Sequence, residues 1–384
     1  MEEWKTDILE NLLDALIDYR GKTPRKTASG VPLVTAKIIK GGSILPFEEY
    51  IAEEDYDAWM VRGFPQPGDV VMTTEAPLGE VALLDNRKVA LAQRVVTLRG
   101  KQGILDSTYL KYFLQSAIGQ SRLSARETGT TVTGIKQSEL RKVEISYPTF
   151  QTQRKISAIL KSIDDKIALN NRINHNLEEQ AQALYKSWFV DFEPFKDGEF
   201  VDSELGLIPK GWRVGTLSEL VEVHYGKDHK SLKDGDIPVY GSGGRMRYAE
   251  RALFDKESVL IPRKGTLNNV MYVNHPFWTV DTMFYSSEKV QNAIKYAHLF
   301  LLTQDLASMN AGSAVPSMTT DILNNLIVLI PTQDVLEAFD GIVSALYSGV
   351  DDFQRQSASL SMTRDSLLPQ LLSGNLNSSI SLTC

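Results

Sequence analysis

Three short stretches of the chain set glycine beside cations: YGKDHK (Tyr225 to Lys230), YGSGGRMR (Tyr240 to Arg247) and IPRKGTLNN (Ile261 to Asn269). Glycine lets backbone N–H groups approach a phosphate closely, and neighbouring Lys and Arg neutralise its charge. Arginine also presents a planar fork that matches the acceptors of guanine, and asparagine pairs in the same groove with adenine. On this chemistry Tyr225, Lys227, Lys230, Ser242, Arg245, Arg247, Arg263, Lys264, Asn268 and Asn269 are candidate nucleic-acid contacts. Nearer the N-terminus, Arg20 to Lys40 holds six basic residues and no acidic one. It supplies Arg20, Lys22, Thr23, Arg25 and Lys26 as candidates, with Lys37 and Lys40 as outer phosphate contacts. Arg94 in LAQRVV and Lys136 in TGIKQSEL either face DNA or belong to surface ion pairs. The plain alternative is that these loops are solvated turns whose glycines serve backbone geometry alone. Three such loops close together in one part of the chain argue for a ligand.

Other chemistries lack their residues. RGKTP, from Arg20 to Pro24, resembles the end of a P-loop, but position 16 is Leu where the phosphate cradle needs Gly. A methyltransferase needs a motif such as Asn/Asp-Pro-Pro-aromatic to hold the target amine, and the chain has no Pro-Pro dipeptide. Five histidines and one cysteine, Cys384, give no metal-ligand spacing beyond the pair His224 and His229. No Gly-x-Ser-x-Gly elbow is present. Together these absences favour a binding protein over an enzyme, with no cofactor bound by this chain.

Bulk properties set the frame. At 384 residues, two or three domains are expected. Apolar content of 42% and charged content of 23% are those of an ordinary globular protein. The net charge of −7 leaves any DNA-facing surface to local clusters. No apolar run approaches the ~18 residues of a membrane span. The first residues, MEEWKTDILENLLDALIDY, are acidic where a signal peptide is basic, so a reducing cytoplasm is the expected setting.

The elements that must position these loops are announced by a repeat. GTTVTGIKQSELRKVEISYP (Gly129 to Pro148) returns as GSAVPSMTTDILNNLIVLIP (Gly312 to Pro331), at a constant offset of 183 residues. A period of about half the chain means a duplicated domain. Thr149 and Thr332 follow as N-caps of helices. Ile156, Ile163, Asn170, Leu177 and Leu184 recur every seven residues, as do Phe339, Leu346, Phe353, Leu360 and Leu367. A second row lies four residues on: Leu160, Ile167, Asn174, Ala181 and Trp188, then Val343, Val350, Ser357, Arg364 and Leu371. Two such rows form one apolar stripe, and five heptads of it predict a coiled coil, with Asn170 and Asn174 as polar interruptions that fix register; the plain alternative is two separate amphipathic helices, each packed on its own domain. Each helix is predicted to run roughly 35–38 residues, about 55 Å. Paired antiparallel, the two would carry the globular part before each at opposite ends of a rod. Its length suits half-sites spaced about 34–36 Å along a duplex.

Each globular part reads as α+β. Strand signals are VPLVTAKII, GDVVMTT, GEVALL and QRVVTLR in the first copy, and IPVYG, SVLIP, NVMYV and DTMFYSS in the second. Helical patches, STYLKYFLQSAIGQSRL and AIKYAHLFLLTQDLAS, follow in equivalent places. The predicted division is residues 1–149 and 212–332 for the two globular domains, 150–188 and 333–374 for the two spacer helices, 189–211 for an acidic linker wrapping over the surface, and 375–384 for a flexible tail.

Six motifs then carry a resemblance. IPKGWRVGTLSEL (Ile208 to Leu220), IPRKGTL, LAQRVVTLR, GTTVTGIKQSEL, ALYKSWFVDFEPF (Ala183 to Phe195) and LLPQLLSG (Leu367 to Gly374) resemble, in order, the specificity subunit of type I restriction-modification systems. WKTDILENL at Trp4 is similar to GWRVGTLSEL, without the Pro-Lys-Gly before the Trp. The resemblance implies two tandem target-recognition domains, each followed by a long helix, with the two helices pairing as an antiparallel coiled coil. It implies that each domain reads one half of a split, asymmetric site in double-stranded DNA. It also implies that the helices set the unread spacer and dock two modification (methyltransferase) subunits. Those subunits bring S-adenosylmethionine and methylate adenine, and restriction (motor-nuclease) subunits join to cleave. The divergent loops would then read while the repeated frame is structural. The competing reading is a non-catalytic protein-binding scaffold that has lost DNA recognition; a DNA methyltransferase is disfavoured by the missing motif.

Overall fold

A computed structural model describes residues 4–19, 23–129, 133–309 and 316–373. Arg20, Lys22, part of each repeated glycine motif (Thr130 to Val132, and Gly312 to Val315) and the tail from Gly374 lie outside the described residues. The chain divides into two compact units, residues 1–169 with 356–384 and residues 170–355.

Both units are built on one plan. The first holds a four-stranded antiparallel sheet in the order Leu13–Asp18, Val95–Gly100, Val70–Thr74, Leu78–Leu83. The second repeats it with Val221–Tyr225, Met283–Glu288, Ser258–Pro262 and Met271–Val273. The inner strands VVMTT and SVLIP are buried along their whole length, which is why their β-branched and aliphatic runs show no alternation. A smaller sheet sits beside each, with one parallel pair: Val31–Val34 with Ala90–Leu91, and Ile237–Gly241 with Trp278–Thr279. A separate two-stranded ribbon joins the start of each unit to its end, Lys5–Ile8 with Glu144–Tyr147 and Arg213–Thr216 with Ile327–Ile330. Trp4 therefore stands before its strand as Trp212 does before its own, although the Pro-Lys-Gly is missing.

A nine-residue helix closes each sheet, Ser107–Gln115 and Ile294–Leu302. The first helical patch breaks at Ser116, whose hydroxyl accepts the N–H of Gly119 at 3.1 Å and caps a second helix, Ala117–Ser124. A 40-residue helix then leaves each ribbon: Phe150–Phe189 and Gln333–Leu372, the latter continuing through Pro369. Within the first unit Ile156 and Leu160 share a core with Leu371, Leu372 and the sheet. Within the second, Ala181, Tyr185 and Phe189 share a core with Leu336, Phe339 and Val343. The start of one long helix thus lies against the end of the other in each unit, and the pairing is antiparallel, through the seam that the heptads mark. Asn170 and Asn174 are buried.

The segment after the first long helix carries an aromatic anchor. Phe192 adopts a left-handed turn, and Phe195 packs edge-on against Trp212 and Trp188. Phe189 sits in turn against Tyr296 and Phe339, with centroids 4.6 and 4.8 Å apart. Such aromatic pairs add about 0.5–1.5 kcal/mol each beyond burial. A hairpin of Phe200–Ser203 with Gly206–Pro209 follows. Periodicity missed this anchor because its aromatics fall at irregular spacings.

Candidate nucleic-acid interface

The turns at the ends of the two central strands, which carry Arg94 in the first unit and Arg263 and Lys264 in the second, are held by the same backbone bonds in both units. In the first, the N–H of Thr74 donates to the Arg94 carbonyl and the N–H of Ile135 to the Thr74 carbonyl, both at 2.9 Å. In the second, the N–H of Arg263 donates to Thr282 at 2.9 Å and that of Met318 to Arg263 at 2.8 Å. Bridges Glu75 to Gly134 and Lys264 to Ser317 complete the match. The framework places Thr74 where Arg263 stands, Glu75 where Lys264 stands, and Arg94 where Thr282 stands. One scaffold therefore presents different side chains.

In the second unit the Arg263 guanidinium lies over the exposed Tyr225 ring, 5.3 Å from its centroid, and donates to the Asp281 carbonyl at 3.2 Å. Lys264 is exposed and has no side-chain partner among the described residues. Gly265 has φ +88°, and an added Cβ would meet the Ser242 hydroxyl at 2.8 Å, so the turn needs glycine there. Arg245 lies 5.0 Å over the Tyr248 ring, beside exposed Met246. Two cations on exposed aromatic faces, with an exposed lysine beside them, can stack on bases and bind phosphates. Lys227 and Lys230 are exposed on a loop held by Arg247, whose guanidinium donates to the His229 and Leu232 carbonyls at 2.9 and 2.7 Å.

Three sequence candidates make bonds within the unit. Arg247 fastens that loop and pairs with Asp234 at 3.2 Å. Asn269 donates to the Ser242 carbonyl at 2.7 Å. Asn268 donates to Asp305 at 3.2 Å and accepts the N–H of Ala307 at 2.8 Å.

In the first unit Thr23, Lys26, Lys37, Lys40, Gln93 and Arg94 help line an open cavity of about 570 Å³. Glu49, on the same wall, takes Lys26 at 2.8 Å and Lys37 at 3.0 Å, and these two lysines hold its carboxyl below the usual range. Arg94, at φ +71°, pairs with Glu75 at 2.7 Å, the ion-pair role foreseen as its alternative. Arg25, Lys40 and Lys136 are exposed, with no ion pair among the described residues. Sequence reasoning missed Glu49, Gln93, Tyr248 and Met246. Glu49 faces lysines 23 and 12 residues away, which no local pattern links. Among the described residues, no group of three or more His, Cys, Asp or Glu could hold a metal ion, and no helix is long and apolar enough to cross a membrane.

The sequence matches the family model for the type I restriction modification DNA specificity domain over residues 2–179 and 209–340. The chain belongs to this family. It is 28% identical over 357 residues to the type I restriction enzyme MjaIX specificity subunit of Methanocaldococcus jannaschii, spanning 86% of this chain and 82% of that one. It is 22% identical over 378 residues to the HindI specificity subunit of Haemophilus influenzae, spanning 76% and 82%. Its fold is similar to the crystal structure of a type I restriction-modification S subunit from M. genitalium, with a TM-score of 0.61, 19% identity and 96% of each chain covered. Membership of the specificity-subunit family accords with the duplicated plan of sheet, closing helix and long helix.

Proposed function

We propose that this chain reads DNA for a type I restriction-modification complex and catalyses none of its reactions. Each α+β unit reads one part of a bipartite, asymmetric site through the loops at the ends of its central strands. The paired long helices set the unread spacer and dock two modification subunits, to which restriction subunits join. S-adenosylmethionine belongs, on this reading, to the modification subunits, and this chain binds no cofactor. The carrying observation is the matched loop framework with unmatched side chains, Thr74, Glu75 and Arg94 against Arg263, Lys264 and Thr282. A shared frame is what two readers on pseudo-symmetric DNA require, and different side chains are what different half-sites require.

A second reading, a scaffold without DNA recognition, draws on Glu49, which engages Lys26 and Lys37, and on the net charge of −7. Titrating duplex DNA against the chain assembled with modification subunits, over a range of salt, separates the two. Neutralising about six phosphates gives a slope of log K on log salt near −5. Weak binding with a flat slope, alongside tight subunit assembly, would select the scaffold.

A further inference from the structure

The two nine-residue helices are tied to the long helices by contacts at equivalent positions, although the sequence offset of 183 does not align them. The Tyr109 hydroxyl donates to the Ser146 carbonyl at 2.7 Å, and the Tyr296 hydroxyl to the Leu329 carbonyl at 2.7 Å. Those carbonyl residues are 183 apart, so the tyrosines mark equivalent points on the two short helices. Two residues beyond each tyrosine stand Lys111 and His298; eighteen beyond each carbonyl residue stand Asp164 and Tyr347. Lys111 meets Asp164 at 2.7 Å, and His298 Nδ1 meets the Tyr347 hydroxyl at 2.5 Å. One architectural contact is thus made twice, as a buried ion pair in the first unit and as a neutral pair in the second.

The surroundings make each contact a hub. Asp164 also accepts the Tyr112 hydroxyl at 2.7 Å and Arg364 of the second long helix at 2.9 Å, so one carboxylate joins the short helix to both long helices. Tyr347 packs edge-on against Tyr272, centroids 4.5 Å apart, beside a cavity of about 310 Å³. Lys295 on the same short helix reaches Asp340 of the second long helix at 3.0 Å. Part-buried, directional contacts of this kind favour one relative orientation.

We propose that Lys111–Asp164 and His298–Tyr347 are equivalent latches that orient each reading domain on its long helix, and so set the spacer length the complex accepts. The inference rests on the DNA-reading function proposed above. Asp164, Lys111, His298 and Tyr347 are positioning residues, since they act through the domains.

Asp164→Asn, Tyr347→Phe and the transplanted pair Lys111→His with Asp164→Tyr test it in the full chain assembled with modification subunits. Amide exchange of residues 107–115 and 294–302 gives a readout independent of DNA. Asp164→Asn is expected to speed exchange in the first segment, and Tyr347→Phe in the second, each about tenfold, with the transplant restoring the first toward the parent rate. On duplexes whose spacer is lengthened or shortened by single base pairs, each single variant is expected to accept a broader range while its half-site base preferences stay unchanged. Unchanged exchange in both single variants overturns the latches. Faster exchange with the parental spacer profile overturns their positioning role. A parent complex with no split-site preference refutes the DNA reading instead, and exchange then decides the latch alone.

Discussion

Arg263 shows how one residue is prepared for an anion: its backbone is fixed in the sheet frame, its guanidinium is set on Tyr225, and Lys264 beside it has no side-chain partner among the described residues. Both reach outward from a turn that carries no carboxylate between Ser258 and Val280. Replacing Arg263 and Lys264 together by Ala should weaken binding about equally on all sequences, by roughly 10–100-fold, and lower the salt slope by about two. A loss confined to one base pair in a binding assay would make them base readers. Residue chemistry was legible only in part. The charge clusters could be read, but whether each side chain was open could not. Asn268 is closed by Asp305, 37 residues away, and Lys37 by Glu49, 12 away. These are tertiary partners that spacing does not encode.

At the scale of elements, the long helices were the most legible part, because an apolar stripe with a seven-residue recurrence leaves few alternatives. The spacing predicted an end at 188, and the first helix ends at Phe189. The short helices were visible as apolar patches, but their polar anchors were not. His298 is the clearest case. Burial pushes its imidazole down to about 4 from 6.5, against the Val270 carbonyl, to which the ring donates. The ring is therefore neutral, and Tyr347 donates to its Nδ1. Tyr272 packs nearby, and Glu178 and Asp351 line the adjoining cavity. Between those two pKa values the unfolded chain binds more protons than the folded one. The His298 contribution is thus fully present above about 6.5 and is lost as pH falls toward 4. Asp164, held below its usual range against the effect of burial by Lys111, Tyr112 and Arg364, loses its contribution only at still lower pH. Thermal melts from pH 7 to pH 4.5 should show a falling midpoint that flattens in His298→Gln. An equally steep fall in that variant would remove the assignment.

At the scale of the molecule, the chain makes one design twice and varies it where it matters. The frame keeps an offset of 183 residues through the second strand of each ribbon and the long helices, while the first ribbon strands are 208 apart. Through the domains the offset drifts, to 189 between Glu75 and Lys264 and to 187 between the short helices. Insertions in the reading regions moved equivalent residues out of register. The duplication was therefore legible while the matching of Lys111 to His298, or of Arg94 to Thr282, was not. The offset changes inside the domains, between the two strands of each ribbon, and is constant from the second ribbon strand through the long helix. The most direct measurement is selection of duplexes from a random library by the chain assembled with its modification subunits. Two short preferred blocks of different sequence, separated by a fixed stretch with no preference, are predicted. A single continuous block, two identical blocks, or no preference at any position would contradict the claim that this chain carries two dissimilar readers on one repeated frame.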